Sequence, residues 1–146
     1  TIYAQVRREE RGATSLLHSM WEEKRWMDCC LRVCEGSKPP VDIRAHRCVL
    51  AAASRIFRSM LTGPLRERDA QVLELNEVGA SPITEMLMFM YGLEVEISAE
   101  NALSLYRVAD MYEVLELATL CCTYLQQKTT VCNCCSLLAA AESVQC

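Results

Sequence analysis

The stretch Ile43–Glu67, IRAHRCVLAAASRIFRSMLTGPLRE, decides the fold of this chain. Its first residues predict a short apolar strand that ends at His46-Arg47, and the small residues Val49 to Ala53 predict a single helical turn. Ser54 is placed to cap a second helix, because a serine hydroxyl accepts a hydrogen bond from a free N–H group of the first turn. Two short helices with so many alanines can pack very close to the edge of a sheet.

The second helix of this stretch carries Phe57, Met60 and Leu61 at i, i+3, i+4 spacing, which predicts one buried face. Gly63 is predicted to end the helix in a left-handed turn, and Pro64 prevents its continuation. The helix is therefore short, and a loop must follow it.

The composition of the chain predicts one compact domain with a full core. It has 146 residues, of which 51% are hydrophobic, and a formal net charge of −4. That charge offers no basic field for phosphates, so we expect no nucleic-acid partner. No apolar run approaches the roughly 20 residues that span a bilayer, so we expect no membrane partner. The sequence opens at Thr1 and stops at Cys146 in what reads as a helix, which suggests a piece of a longer protein.

The ten cysteines are predicted to be reduced thiols in the core or on the surface. A disulfide framework is one alternative, but such frameworks belong to short chains with weak cores. A zinc site is the other, and neither Cys29-Cys30-x-x-x-Cys34 nor Cys132-x-Cys134-Cys135 has the paired spacing of a tetrahedral site. We therefore expect no bound metal and a reducing compartment, the cytoplasm, with the nucleus as a further location.

The rest of the chain predicts early strands and late helices. The predicted strands are Asp28–Glu35, Val41–Ala45 and Gln71–Leu75, and the predicted helices are Gly12–Arg25, Ser81–Gly92, Ala99–Tyr112, Val114–Leu125 and one after Thr130. A lead-in at Thr1–Val6 is either a short strand or disordered. This order indicates an α+β fold, a small three-stranded sheet flanked by a cluster of helices.

The sequence offers no good candidate for catalysis. It has two histidines and nothing that resembles a nucleophile elbow, a phosphate-cradling glycine loop or a pair of catalytic carboxylates. His46 could in principle serve as a base for Cys48, but a structural histidine at a strand end is the favoured interpretation. We expect no catalytic residue and no cofactor.

Several of these residues together resemble the signature of the BTB/POZ domain: Asp28, His46-Arg47, Val49-Leu50, Ser54 and Phe57-Arg58-Ser59-Met60. The end of the chain resembles the entry into a BACK domain, the continuation found in Kelch-like proteins. The resemblance implies three parts, with a lead-in or swapped strand at residues 1–12, the BTB/POZ domain at 13–128 and the start of a BACK domain at 129–146.

Leu65-Arg66-Glu67 follows the second helix of the deciding stretch and is predicted to bind a partner. An exposed leucine favours a partner pocket, and a carboxylate beside it can set orientation through a charge-assisted hydrogen bond. In Kelch-like adaptors this position docks the N-terminal domain of cullin-3. The residues that the resemblance assigns to cullin binding are Phe57, Met60, Leu65, Glu67, Met111, Tyr112, Glu113 and Val114.

The first helix and the lead-in are expected to form a homodimer, as the resemblance implies. The dimer residues would be Ile2, Tyr3, Val6, Leu16, Leu17 and Met20. Asp28 and Arg47 flank strands of one hairpin, so they can come close as a structural charged pair.

The resemblance implies a non-catalytic substrate adaptor that dimerises and recruits cullin-3 into an E3 ubiquitin ligase. Its substrate protein would bind through a C-terminal domain beyond this sequence. The alternative is the dimerisation domain of a transcriptional regulator, which binds corepressor peptides between its two protomers.

Overall fold

The structure is a computed structural model that describes residues 2–4, 11–63 and 71–128. The described strands are β1 (Ile2–Ala4), β2 (Cys29–Cys34), β3 (Val41–Ala45), β4 (Val72–Asn76) and β5 (Val95–Ile97). The described helices are α1 (Arg11–Glu23), α2 (Arg47–Ala53), α3 (Arg55–Thr62), α4 (Ala80–Met90), α5 (Ala102–Met111) and α6 (Leu115–Lys128). This is the α+β architecture that the order of the sequence patterns predicts. No helix in these ranges is long and apolar enough to cross a membrane.

The main sheet has three strands in the order β3-β2-β4. β2 and β3 form the expected antiparallel hairpin, in which Leu31 lies opposite Ile43. β4 runs parallel to β2 on its other side, with Leu31 opposite Leu73. A parallel neighbour requires a crossover, and the chain between β3 and β4 supplies one that contains α2 and α3.

The alternating residues of β2 explain why the sheet has one buried and one outer face. Cys29, Leu31 and Val33 are buried, while the residues between them are only partly covered. Successive side chains of a strand point to opposite faces, so this pattern places one set in the core. The helices close over that face, and α1 packs through Trp21, whose ring lies 5.0 Å from the ring of Tyr91.

A second, two-stranded sheet joins β1 to β5 in antiparallel register, with Ile2 opposite Ile97. The lead-in therefore contains a strand, and the structure pairs it with a strand of the same chain. β5 has only three residues, which is too short for its alternation to predict a strand from sequence. The helix predicted after Thr130 lies outside the described residues.

The prediction of a left-handed turn at Gly63 is wrong. Its φ of −65° and ψ of 166° are extended backbone, and its N–H donates to the Ser59 carbonyl at 2.9 Å. A Cβ at this position would lie 2.7 Å from the Ser59 oxygen. Glycine is needed here for a close approach to the helix end, rather than for its handedness.

The first helix ends earlier than predicted, at Glu23 instead of Arg25. Lys24 has a φ of +50° and Trp26 a φ of +61°, so the chain leaves the helical conformation at once. Both residues are unusual in the left-handed region, because their Cβ atoms crowd the following carbonyl.

Candidate protein-interaction surfaces

The turn between α5 and α6 forms a tight corner of the molecule. Glu113 adopts a φ of +52° there, and the N–H of Val114 donates to the Ala109 carbonyl at 2.8 Å. A left-handed residue followed by such a backbone hydrogen bond is a common way to end a helix. The corner is therefore a defined structure, and its side chains project from a fixed backbone.

Ser54 ties this corner to the start of α3. Its hydroxyl oxygen accepts the N–H of Phe57 at 3.1 Å, which confirms the predicted cap. The same hydroxyl donates to the carbonyl of Tyr112. The rings of Phe57 and Tyr112 stack with centroids 4.6 Å apart and planes 5° from parallel. Burial raises the pKa of Tyr112 to about 12. These contacts hold α3 and the corner together as one unit.

The residues predicted for cullin binding divide by exposure. Met111 is 41% exposed, and Glu113 and Met60 are partly exposed. Phe57 and Tyr112 are buried, so their side chains support this surface from below and would not touch a partner on it. Val114 is also buried. Leu65 and Glu67 lie outside the described residues.

A groove of about 340 Å³ opens beside the corner, and we call it the corner groove. It is lined by Ala53, Phe89, Met90, Glu113, Val114, Leu115 and Glu116. The Nε of Arg55 lies 2.9 Å from an oxygen of Glu113, and this contact raises the pKa of the arginine. The groove thus combines an apolar floor with carboxylates at its rim.

Sequence reasoning missed two residues of this surface. Leu115 is 68% exposed, and Arg55 pairs with Glu113. Leu115 lies off the apolar stripe of α6, which contains Leu117 and Cys121. Its position on the polar side of the helix could therefore have predicted an exposed apolar residue. No local signal marks Arg55, since its partner is 58 residues away.

The second candidate surface lies on α1. Leu16 is 65% exposed, while Leu17 and Met20 are partly buried and pack against the core. The backbone of Ile2 and Tyr3 pairs with β5. Val6 lies outside the described residues. The helix therefore offers one strongly exposed leucine next to a face that already contacts its own chain.

Asp28 and Arg47, predicted as a structural charged pair, are joined by a hydrogen bond that involves the backbone of Arg47. The backbone N–H of Arg47 donates to the Asp28 carboxylate at 2.8 Å. The Arg47 guanidinium also donates to the Leu61 carbonyl at 3.3 Å. Asp28 thus accepts a hydrogen bond from the first N–H of α2, at a helix end where a negative charge is favoured.

His46 is buried, and both of its ring nitrogens have partners. Nδ1 lies 2.7 Å from the Tyr91 hydroxyl, and Nε2 lies 2.6 Å from the Arg25 carbonyl. Nε2 faces a carbonyl, which can only accept, so Nε2 carries the proton of the neutral ring and Nδ1 accepts from the Tyr91 hydroxyl. The oxygen of the same hydroxyl accepts the backbone N–H of His46 at 2.9 Å. These bonds use the ring as a structural link between three segments.

The described ranges contain no group of three or more His, Cys, Asp or Glu side chains that could hold a metal ion. Their cysteines are free thiols. Burial raises the pKa of Cys29 to about 11 and that of Cys121 to about 12. These two thiols stay protonated near neutral pH and resemble small apolar side chains.

Comparison with known proteins gives a consistent family. The model of the BTB/POZ domain matches residues 17–129. Kelch-like protein 21 of Homo sapiens is 35% identical over 137 residues, which are 92% of this chain and 22% of that protein. Kelch-like protein 3 of Danio rerio is 30% identical over 136 residues, 93% of this chain and 22% of that protein. Kelch-like protein 40 of Xenopus tropicalis is 29% identical over 130 residues, which are 89% of this chain and 20% of that protein.

The chain thus spans about a fifth of the length of these curated relatives. The family match covers most of the described structure, including the corner groove and α1 from Leu17 onward. This chain therefore belongs to the BTB/POZ domain family.

Proposed function

We propose that this BTB/POZ domain is a non-catalytic substrate adaptor that recruits the N-terminal domain of cullin-3 into an E3 ubiquitin ligase and forms a homodimer. The observation that carries the proposal is the corner groove, a rigid apolar and acidic surface, in a chain whose relatives are Kelch-like proteins. The substrate protein would bind a C-terminal domain beyond this sequence.

The corner groove suits a partner that brings apolar side chains flanked by basic ones. Met111 and Leu115 are exposed beside it and can be covered by such side chains, which is the main source of affinity at an interface core. Glu116 can orient a basic group at the rim, while Glu113 is already paired with Arg55. Arg55 and the left-handed backbone hold Glu113 before binding, so little freedom is lost on docking. Leu65 and Glu67, which follow α3 in the sequence and lie outside the described residues, are expected to extend this surface.

The proposed homodimer would bury the exposed side of α1. Leu16 exposes 65% of its surface in the described chain, and burying such a side chain is favourable by roughly 1 to 2 kcal/mol. A second copy of the chain presents the same helix, so a two-fold contact would cover both leucines at once. Each dimer would then hold two substrate-binding domains.

Calorimetric titration with the cullin-3 N-terminal domain tests the first part of the proposal. We expect Met111→Arg to weaken binding by about tenfold or more, because a charged side chain would be placed in a desolvated contact. Glu67→Lys should weaken it as well. The matched control is Val72→Arg on β4, where the native side chain is 37% exposed against 41% for Met111.

The proposal is supported if Met111→Arg loses binding to the cullin-3 N-terminal domain while Val72→Arg binds it like the native chain. Absence of binding by the native chain, or equal binding by both variants, would overturn cullin recruitment. The corepressor-binding alternative would then be the remaining function for this domain.

Sedimentation equilibrium tests the homodimer. We expect Leu16→Asp to shift the native dimer to monomer, since a buried carboxylate at the two-fold contact would be unpaired. Leu115→Asp serves as control, because Leu115 is equally exposed at 68% but lies on the corner. A native chain that stays monomeric at high concentration would rule the dimer out.

A further inference from the structure

Trp26 is the most exposed of the large apolar side chains that the structure describes, at 90%. It lies between α1 and β2 and has a φ of +61°. Residues other than glycine adopt this backbone conformation only at an energetic cost. Lys24, two residues earlier, has a φ of +50°. An exposed indole on a strained backbone gains nothing for the stability of the chain. Such a feature points to a role outside the fold.

The backbone on both sides of Trp26 is held in place by tertiary hydrogen bonds. The carbonyl of Arg25 accepts the Nε2–H of the buried His46 at 2.6 Å. The carbonyl of Met27 accepts Nη2 of Arg44 at 3.1 Å. The indole is therefore exposed, but the backbone that carries it is held in place. Binding of a partner to the indole would cost little backbone conformational entropy.

A groove of about 370 Å³, which we call the Trp26 groove, is lined by Lys24 and Met27 on either side of this residue, although Trp26 itself is not part of the lining. Its lining includes Trp21, Met27 and Ile43, which are apolar, and Lys24, Arg44 and Asp42, which are charged. It lies between the end of α1, strand β3 and α4, whereas the corner groove lies at the turn between α5 and α6.

The charges of the Trp26 groove favour an acidic occupant. Asp42 is already engaged, because Nε and Nη2 of Arg32 both donate to its carboxylate at 2.8 Å. Lys24 lies 6.0 Å from the centre of the Trp21 ring, and Arg44 contacts a backbone carbonyl. Neither contact neutralises the positive charge of these two side chains. The groove therefore presents two cations and no uncompensated carboxylate of its own lining.

Strand β3 supplies a backbone to which an extended peptide can pair. It is the end strand of the order β3-β2-β4, so one of its edges has no neighbouring strand in the described part of the chain. Ile43 and Arg44 of this strand line the Trp26 groove. An extended peptide on such an edge gains main-chain hydrogen bonds and places alternate side chains into adjacent pockets.

We propose that the Trp26 groove binds an extended acidic segment of a partner protein. The segment pairs with the free edge of β3, places one apolar side chain in the groove against Met27 and Ile43, and directs its carboxylates to Lys24 and Arg44. A second apolar side chain of the segment covers the exposed Trp26, which lies next to Met27 in the chain. This site is separate from cullin recruitment and from the α1 dimer contact at Leu16. It gives the domain a peptide-binding surface within a single protomer.

Selection from a displayed library of random twelve-residue peptides on the whole chain tests this proposal. We expect the enriched peptides to have a net negative charge and an apolar residue within an extended pattern. Synthetic copies, measured by fluorescence polarisation, should bind more weakly as the salt concentration rises. Methylation of alternate backbone nitrogens in the peptide should abolish binding, because it removes donors to the strand edge.

Two variants and one control place the binding in the Trp26 groove. Trp26→Gly should weaken binding by about tenfold or more while the chain stays folded, because glycine accepts the positive φ without strain. Lys24→Glu should also weaken it through charge repulsion. Leu115→Ala, which removes another exposed apolar side chain, should bind like the native chain.

Four results of the peptide-binding experiments would overturn the proposal. They are a selection that enriches no peptide, enriched peptides without an acidic bias, native-like binding by Trp26→Gly, and binding that tolerates backbone methylation. A dimer that dissociates in Trp26→Gly would also overturn it, since the groove would then be covered by a second copy. Retained cullin binding in Trp26→Gly would separate this site from the adaptor function.

Discussion

Tyr91 contributes to stability through a single hydroxyl with two bonds. It is fully buried at the end of α4, accepts the N–H of His46 and donates to the ring of the same residue. Tyr91→Phe would leave both groups of His46 buried without a partner. An unpaired buried polar group costs about 1–3 kcal/mol, so we expect a loss of about 2–3 kcal/mol in the free energy of unfolding, measured in urea.

The control for this prediction is Tyr106→Phe on α5, which removes a hydroxyl from a partly exposed tyrosine. Its effect should stay within about 0.5 kcal/mol, as is usual away from buried networks. Equal effects of the two substitutions would contradict the structural role of Tyr91.

The described cysteines differ in accessibility, and this predicts their order of reaction. Cys48 is exposed on α2, whereas Cys29 and Cys121 are buried, and burial raises the pKa of these two thiols to about 11 and about 12. The thiolate is the reactive form. We expect iodoacetamide at pH 8 to modify Cys48 well before the two buried residues, as followed by peptide mass mapping. Modification of Cys121 at the rate of Cys48 would contradict this.

At the scale of elements, Ser54 joins α3 to the turn between α5 and α6. It caps the N–H of Phe57 and donates to the Tyr112 carbonyl, and its side chain is buried. Ser54→Ala removes the cap and one tertiary hydrogen bond. We expect the free energy of unfolding to fall by about 2 kcal/mol. About 1 kcal/mol of this is the loss of the helix cap, and a similar amount is the loss of the tertiary hydrogen bond.

Ser59→Ala is the matched control for Ser54, because Ser59 is exposed within the same helix. Alanine is the better helix former, so this variant should be unchanged or slightly more stable. Urea unfolding followed by circular dichroism measures both. If Ser54→Ala left the free energy of unfolding unchanged, the hydrogen bonds of Ser54 would not stabilise the corner.

At the scale of the whole molecule, the buried acids predict a loss of stability in alkali. Burial raises the pKa of Cys29 to about 11 and those of Tyr91, Tyr112 and Cys121 to about 12, above their ordinary values of 9.0 for cysteine and 10.0 for tyrosine. The unfolded chain therefore loses these protons first. Their stabilisation is complete below pH 9 and is lost as the pH rises from 9 to 12.

Urea unfolding between pH 7 and 11 measures this dependence. We expect a plateau near neutral pH and a decline above pH 9. Tyr112→Phe removes one titrating group, so it should reduce the slope above pH 10. A flat free energy of unfolding from pH 7 to 11 would contradict the burial of these groups.

Local patterns predicted those elements whose signals lie within a few residues. The alternation of β2, the cap at Ser54 and the apolar stripe of α3 depend on neighbours along the chain, and the structure confirms them. The α+β class follows from the order of such signals. The end of α1 was misplaced, because the left-handed conformations of Lys24 and Trp26 depend on contacts with distant residues.

The sequence by itself therefore determined the class of the fold, its family resemblance and the positions of its main strands and helices. Only the tertiary structure decided that β4 lies parallel to β2, that Gly63 serves a close approach, and that Phe57 and Tyr112 support the corner from within. It also decided which residues form the two grooves. The physical reason is range: periodicity and capping are set by adjacent residues, whereas burial, pairing and exposure are set by residues that meet only after folding.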